Sequence, residues 1–419
     1  MLQLRSIAPI LISTAFFMFS HGLYSLLVPI RAQLEGFGPT AIGAIATGYA
    51  FGFTAGCFLV PFSVRKVGHI RAFGALLAGL SALVLLSAIV VHPIMWFLVR
   101  AVMGIGVAGS YMILESWLNE RTTNTNRGSV FSIYMIITQL ALMTGQFVLP
   151  LGDPATSVLF MITAIAFTIA VLPTALTGVQ SPAPLSHVSI DFKKLYRNSQ
   201  VAVVGSFLAG IIGSAWYAFA PIFGEQVGLT NASIALMMGL AMAGGMTFQY
   251  PIGRASDQVD RRIVMAVCGV TGAILGTALY WVATLDQGGS FLFFSLMFLF
   301  GSVLFTIYSL FVAHANDFAE PSDFVETSSG LLVIYGVGTM AGPLFTAVLL
   351  EQMGPGGMFA ATTFGHVGIA IFAVWRMTRN ALPENFESAD FQTIGAPRMN
   401  TPQTYEFDPR ADEAEDSSN

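Results

Sequence analysis

Charge is what this chain lacks most. Asp, Glu, Lys and Arg make up 10% of its 419 residues, against about 25% in a soluble globular domain. With 55% hydrophobic residues and a mean hydropathy of +0.72, a water-soluble fold would expose too much apolar surface. The bilayer is therefore the expected solvent and a partner in its own right. Cysteine is nearly absent. Cys57 and Cys268 each fall inside an apolar run, which leaves two packing residues and excludes a disulfide framework or a metal site. No cofactor is expected. No basic face exists, so nucleic acid is excluded as a partner. The net charge of −5 comes from acids in about the last 40 residues and describes no binding surface. Metalloprotease, P-loop and serine-hydrolase signatures are missing, which disfavours an enzyme or an ATP-driven pump. GIGVAG at 104–109 fits a dinucleotide-binding pattern but lies inside an apolar run, not between strand and helix. Its glycines, like GFTAG at 52–56 and GVGTMAGP at 336–343, suit close helix approach or bending. Asn231-Ala-Ser233 fits a glycosylation sequon but hugs the expected membrane boundary.

What the chain does have is long apolar runs. Stretches of roughly 20 residues, enough to cross a bilayer, lie near 7–30, 42–63, 72–91, 94–118, 129–152 and 157–178. A second set lies near 200–224, 232–252, 263–284, 290–315, 325–350 and 356–378. The first run follows a single charge, Arg5, exceeds a signal-peptide core in length and ends in no small-residue cleavage site, so it reads as a retained helix. The expectation is an all-α polytopic membrane protein with twelve transmembrane helices in two pseudo-symmetric six-helix bundles. Its parts are an N-terminal bundle (1–178), a linker (179–199), a C-terminal bundle (200–380) and an acidic, disordered tail (381–419).

Basic residues orient the runs. If the loops alternate across twelve spans, all 18 lysines and arginines except Arg31 and Arg100 fall on one side or in its termini. That positive-inside bias places both termini and the linker in the cytoplasm.

The halves also resemble each other in the same orientation. YSLLVPI at 24–30 matches WYAFAPI at 216–222, aligning Pro29 with Pro221; Pro61 aligns with Pro251 and Arg71 with Arg261. YMILESWLNE (111–120) parallels YSLFVAHAND (308–317), setting Tyr111, Asn119 and Glu120 against Tyr308, Asn316 and Asp317. A parallel repeat with a central linker is the plan of a two-bundle transporter.

Between the eighth and ninth runs lies QYPIGRASDQVDRR (249–262), with five charged residues in nine positions. Its segment Gly253-Arg-Ala-Ser-Asp257-Gln-Val-Asp260-Arg261-Arg262 resembles the signature loop of the major facilitator superfamily. Gly253, Asp257 and Arg261 match, while Asp260 replaces the second glycine. The echo VPFSVRKVGHIR (60–71) has no acid. Arg100-Ala-Val-Met-Gly104-Ile-Gly106-Val-Ala-Gly109 is similar to the family's Arg-and-glycine motif in helix 4. ESWLNER, YSLFVAHAND and SSGLLVIYGVGTMAGP look most like its bacterial YcaD-type branch. The resemblance covers about residues 5–380. It implies a multi-pass carrier of the bacterial inner (plasma) membrane, monomeric, that moves a small solute by alternating access. It also implies coupling to protons, with an uncoupled facilitator or a non-transporting sensor as alternatives.

Candidate residues follow from both arguments. Gly253, Asp257, Arg261 and Arg262 are expected to gate, with Asp257 pairing to the arginines; the alternative is a turn that merely obeys charge orientation. Arg100 lies inside the fourth run, where a charge is costly, so it faces inward to solute or snorkels to headgroups. Glu115 either carries a proton or is an interfacial carboxylate capped by Ser116, Trp117 and loop arginines. His21 either titrates and contacts solute or bonds within the bundle. Tyr24, Gln139, Gln146, Trp216, Tyr217, Gln249, Tyr308 and Tyr335 lie at mid-run. Their placement on the solute cavity is what the resemblance implies; singly, each could equally be helix–helix glue.

Overall fold

The computed structural model describes residues 2–122, 126–176, 190–285, 289–320, 323–379, 391 and 400–407. Among them every regular element is helical. Eleven stretches are long and apolar enough to cross a membrane. One of these, Phe324–Arg379, contains two helices joined by a turn in which Gly354 takes a φ of 66°. Twelve crossing segments therefore result among the described residues.

The chain forms two compact units, Met1–Val188 with Met399–Asn419, and Ser189–Arg398. The first contains α1 (Leu2–Leu34), α2 (Pro39–Val67), α3 (His69–Ile89), α4 (Pro93–Glu120), α5 (Arg127–Gln146), α6 (Val158–Ile169) and α7 (Leu172–Ala175). The second contains α8 (Phe192–Asn198), α9 (Gln200–Gln226), α10 (Asn231–Gln258), α11 (Arg261–Thr284), α12 (Phe291–Leu304), α13 (Ile307–Asn316), α14 (Phe324–Met353) and α15 (Gly357–Arg379). Helices dominate because a lipid core offers backbone N–H and C=O groups no partner outside the segment itself.

Local chemistry sets several boundaries. Ser199 caps α9 by accepting from Ala202 N (3.1 Å), and Ser290 caps α12 by accepting from Phe293 N (3.1 Å). Thr230 caps α10 through Ser233 N (3.2 Å), so the sequon's serine serves a helix start. The sixth run, expected as one helix, breaks between α6 and α7. Pro173 has no N–H for the Ile169 carbonyl, and its ring crowds that carbonyl. The run near 290–315 is also divided, with Phe305 and Thr306 separating α12 from α13. There Ser309 N bonds Thr306 O at 3.1 Å, a tightened three-residue turn, whereas the matching α4 runs unbroken.

Two glycine-lined contacts hold the repeat. Between α2 and α4, a Cβ on Gly52 would lie 1.8 Å from Ala101 O, and one on Gly104 2.3 Å from Tyr49 O. Between α10 and α12, a Cβ on Gly244 would lie 1.8 Å from Phe298 O, and one on Gly301 1.9 Å from Ala241 O. Backbone meets backbone at each point, so no side chain can yield, and dispersion between close helices replaces the hydrophobic effect that lipid does not supply.

Two polar segments differ from expectation. Within the linker, residues 192–198 form α8, capped by Asp191 at Lys193 N and Lys194 N (2.9 and 3.0 Å). Those bonds, chiefly the one from Lys194 N, hold the Asp191 carboxyl below its usual range. Lys194 pairs with Asp323, and Asp191 N donates to Glu326 Oε1 at 2.7 Å, so α8 is tied to the start of α14. In the tail expected to be disordered, Pro402–Phe407 form a 3₁₀ helix, and Asn400, Thr401 and Gln403–Tyr405 are buried. Residues 179–189 of the linker and 381–390, 392–399 and 408–419 of the tail lie outside the described residues.

The glycine contact yields a direct test. Gly104→Val should lower the thermal stability of the purified protein by about 1–3 kcal/mol through overpacking. Gly79→Ala, at a position with nothing within 4 Å, should leave it unchanged or slightly raised. Equal melting temperatures for Gly104→Val and wild type would refute the contact.

Candidate functional site

In the first unit, α1, α2 and α4 bring four side chains together. Arg100 on α4 is buried, with 6% of its surface exposed. Its guanidinium carbon lies 4.3 Å from the ring centroid of Tyr49 on α2 and 5.5 Å from that of Tyr24 on α1. His21, one turn before Tyr24, stacks on Tyr49 with centroids 5.8 Å apart, and its Nε2 lies 3.5 Å from the Tyr49 hydroxyl. Tyr24 is fixed by Ser87, with hydroxyls 2.7 Å apart. Arg100 thus sits among aromatic rings. A desolvated cation over a ring face gains about 2 kcal/mol. Stacking engages the face of the guanidinium, while its N–H donors point outward in its own plane, the geometry that matches a carboxylate.

Tyr49 was not among the residues singled out from sequence. It occupies mid-run GYAFGF, the same kind of position that marked Tyr24, so the signal was present.

Glu115 lies fifteen residues beyond Arg100 on α4, about 22 Å along the helix. The structure does not bring the two together. Glu115 is fully buried. Tyr134 of α5 donates to its Oε1 at 3.2 Å, Thr404 donates to the same oxygen at 2.9 Å, and Thr401 donates to Oε2. Ser116 and Trp117, named in the alternative reading as caps for this carboxylate, make other contacts. Ser116 lies 3.5 Å from His69 Nε2, and Trp117 packs its ring against His69 and Phe73. Those two residues face α3.

Of the two glutamines on α5, Gln146 is fully buried, and neither amide atom has a hydrogen-bond partner among the described residues. Gln139 is half-buried.

In the second unit the predicted residues form separate groups. Tyr308 on α13 and Tyr335 on α14 meet edge to face, with centroids 5.1 Å apart. Gln249 on α10 donates to Ser309 Oγ at 3.3 Å, next in chain to Tyr308. Trp216 and Tyr217 are adjacent on α9, so they point to different sides, toward Phe300 and Phe305 (6.1 Å each). Trp216 is fully buried, with Phe300 beside it.

The signature loop is a network of ion pairs. Arg261 Nη1 donates to Asp257 Oδ1 (2.8 Å) and Ser256 Oγ (2.7 Å), while Nε and Nη2 reach Asp317 Oδ2 and Oδ1 (2.6 and 3.3 Å). The fork of Arg261 thus joins the end of α10 to the end of α13. Arg262 chelates Asp260 (2.6 Å), which also caps α11 through Arg262 N (2.9 Å). Burial works to raise the Asp260 carboxyl, but the bonds from Arg262 outweigh it and hold it below the usual carboxylate range. The acid that replaces the family's second glycine therefore gives the second arginine its partner. Sequence reasoning missed Asp317 as a partner of Arg261, although the repeat had set it against Glu120. In the first unit the counterparts Arg71 and Glu120 are exposed and make no ion pair among the described residues. Gly253 faces Phe391, whose ring atoms would lie 2.1 Å from a Cβ there, and Phe391 N donates to Asp257 Oδ2 at 3.1 Å.

Comparisons bear on what such an arrangement serves. The family profile described as Major Facilitator Superfamily matches residues 10–333 and again 202–402. An Escherichia coli protein (O17:K52:H18, strain UMN026 / ExPEC) called "Uncharacterized MFS-type transporter YcaD" is 28% identical over 343 residues, covering 80% of this chain and 86% of its own length. Among solved structures, the nucleoside transporter NupG superposes with a TM-score of 0.74 at 14% identity, covering 90% of this chain and 100% of its own. An inward-facing bacterial homologue of the human lysosomal transporter Spinster gives 0.69 at 12% identity, covering 96% and 97%. Both likenesses are of fold.

The Arg261 network makes its own prediction. Asp317→Asn leaves a buried guanidinium without its bidentate partner and should destabilise the protein by on the order of 3 kcal/mol. Glu120→Gln, at the exposed counterpart, should change stability by no more than about 0.5 kcal/mol. Thermal unfolding of the two purified variants checks this; equal losses would contradict it.

Proposed function

This chain belongs to the Major Facilitator Superfamily, and from that membership we propose that it moves a small organic solute across the bacterial inner membrane by alternating access. The fold is that of a multi-pass membrane transporter. The finer reading concerns its solute, its energy source and its gate.

One observation carries the solute assignment: Arg100 is buried on α4 among Tyr49, Tyr24 and His21. A cation kept at that depth is expensive unless it serves a ligand or a conformational partner. Tyrosine faces hold the guanidinium in place and leave its geometry matched to a planar anion, so the solute class we favour is an organic carboxylate with apolar or aromatic bulk. Gln139, Gln146, Tyr217, Gln249, Tyr308 and Tyr335 supply further candidate contacts.

The halves 1–178 and 200–380 are the two bundles of the carrier, joined by a cytoplasmic linker at 179–199. Glu115 is the proposed proton carrier, and His21 the second group that can take one. Gly253, Asp257, Arg261 and Arg262 form the gate, with Asp317 added as the far partner of Arg261. A monomer suffices for this cycle.

Uptake into proteoliposomes, screened with labelled carboxylates, tests the reading. Arg100→Ala should abolish flux while the protein inserts and folds normally; wild-type flux would remove Arg100 from the site. Tyr49→Phe should keep the ring face and near-normal KM, whereas Tyr49→Leu should raise KM about tenfold or more. Collapsing the proton gradient with a protonophore should end accumulation but permit equilibration. Accumulation that survives the collapse would exclude proton coupling, and equilibration alone under every gradient would identify a facilitator.

A further inference from the structure

The end of the chain is polar, and its composition alone reads as a solvated tail. Its described residues nevertheless have specific seats. Asn400, Thr401, Gln403, Thr404 and Tyr405 are all buried to 3% or less. They are grouped with the first unit, where the 3₁₀ helix Pro402–Phe407 packs on α4 and α5. Residues three apart share one side of a 3₁₀ helix, and Thr401 and Thr404 use that register to put both hydroxyls on Glu115, one on each oxygen. The turn is closed on itself as well. Thr401 N donates to Thr404 Oγ1 (2.8 Å), and Thr404 N donates to Thr401 O (3.0 Å). Pro402 fixes the backbone at the first step. A rigid turn thus offers two donors to an acceptor-only carboxylate, and Tyr134 adds a third.

A second docking point occurs within the other unit. Phe391 lays its ring where a side chain at position 253 would stand, and its backbone N–H takes the Asp257 oxygen that Arg261 does not (3.1 Å). Gly253 is therefore small because an aromatic residue of the tail lies against it.

Hydrophobic burial does not account for this. Four of the five seated residues are polar, and Gln403 is buried to 1% with neither amide atom partnered among the described residues. An unmatched buried amide is unfavourable, which suits a seat that is left and retaken better than a permanent piece of core.

We propose that Phe391 and residues 400–405 act as an internal inhibitor, docking Thr401 and Thr404 on Glu115 and Phe391 on Gly253 and Asp257, and that they must leave these seats for the cycle to run. The proposal rests on the transport reading given above, because it names the proton-carrying and gating groups as the ones held. While docked, Glu115 has hydroxyl partners in place of those it meets during turnover, and the signature loop is held in one arrangement.

Two variants of the full-length protein and a truncation test it. Thr401→Val/Thr404→Val removes the donors and keeps the side-chain shape; a chain ending at Pro397 removes the turn. Amide hydrogen exchange across 400–405 should be slow in the wild type and fast in the double valine variant. Initial uptake into proteoliposomes should rise in both variants, on the order of tenfold if the tail is docked in about nine molecules of ten. Phe391→Ala should give a smaller rise in the same direction. Exchange in the wild type as fast as in an unstructured peptide would show that the segment is not seated and overturn the proposal. Equal flux in wild type and variants, with the exchange difference present, would end the inhibitory role alone. No flux from any chain ends the transport reading, and the inhibitory one with it.

Discussion

A charge or hydrogen-bonding group taken out of water must find its partner inside the protein, and in lipid it has no second choice. The ionisable groups in this chain's helical region show three answers to that constraint. Arg100 is met by ring faces, Glu115 by hydroxyls, and Arg261 by carboxylates on two sides. The differences matter. A ring face stabilises a cation without neutralising it. Hydroxyls satisfy a carboxylate and can be exchanged for others of equal quality. A bidentate carboxylate pair locks an arginine, and removing one partner leaves a buried charge exposed to its full desolvation penalty.

These three modes are distributed unequally over a duplicated plan. Both halves share the proline positions, the glycine contacts between their second and fourth helices, and the tyrosine that opens the matching segment. Yet the first half has Arg100 among ring faces and the buried Glu115, while the second has the ion-pair network at its loop. Where Arg261 and Asp317 meet in the second unit, Arg71 and Glu120 of the first stay exposed. Duplication supplied one scaffold twice. The two halves now differ at a handful of polar positions, ring faces and hydroxyls in one and carboxylate pairs in the other.

Much of this was legible in the sequence because a bilayer imposes a coarse rule. Runs of about 20 apolar residues can be little else, and scarce charge makes every loop informative, so the helix count and the Asp257–Arg261 pairing were both readable. The failures have specific causes. Pro173 announced the α6–α7 break in its own residue type, but a run counted only for hydropathy conceals it. Tyr49 was visible as a mid-run tyrosine, but its partners, Arg100 and His21, sit on other helices, so no spacing within α2 shows what it meets. The seat of Thr401 and Thr404 was invisible for a deeper reason. Composition measures how much apolar area a segment can bury, whereas this segment is held by donors matched to one carboxylate.

The pairing of Thr401 with Glu115 spans 286 positions of sequence, so the first unit is not a continuous piece of chain but is closed by residues from its far end. Ribosomes add roughly 5–20 residues per second, which places Thr401 about 15–60 s behind its partner during synthesis. Throughout that interval α1 to α5 stand in the nascent protein with Glu115 still lacking both threonines. The earlier-made bundle thus waits for residues 400–405 before its seat at Glu115 is filled.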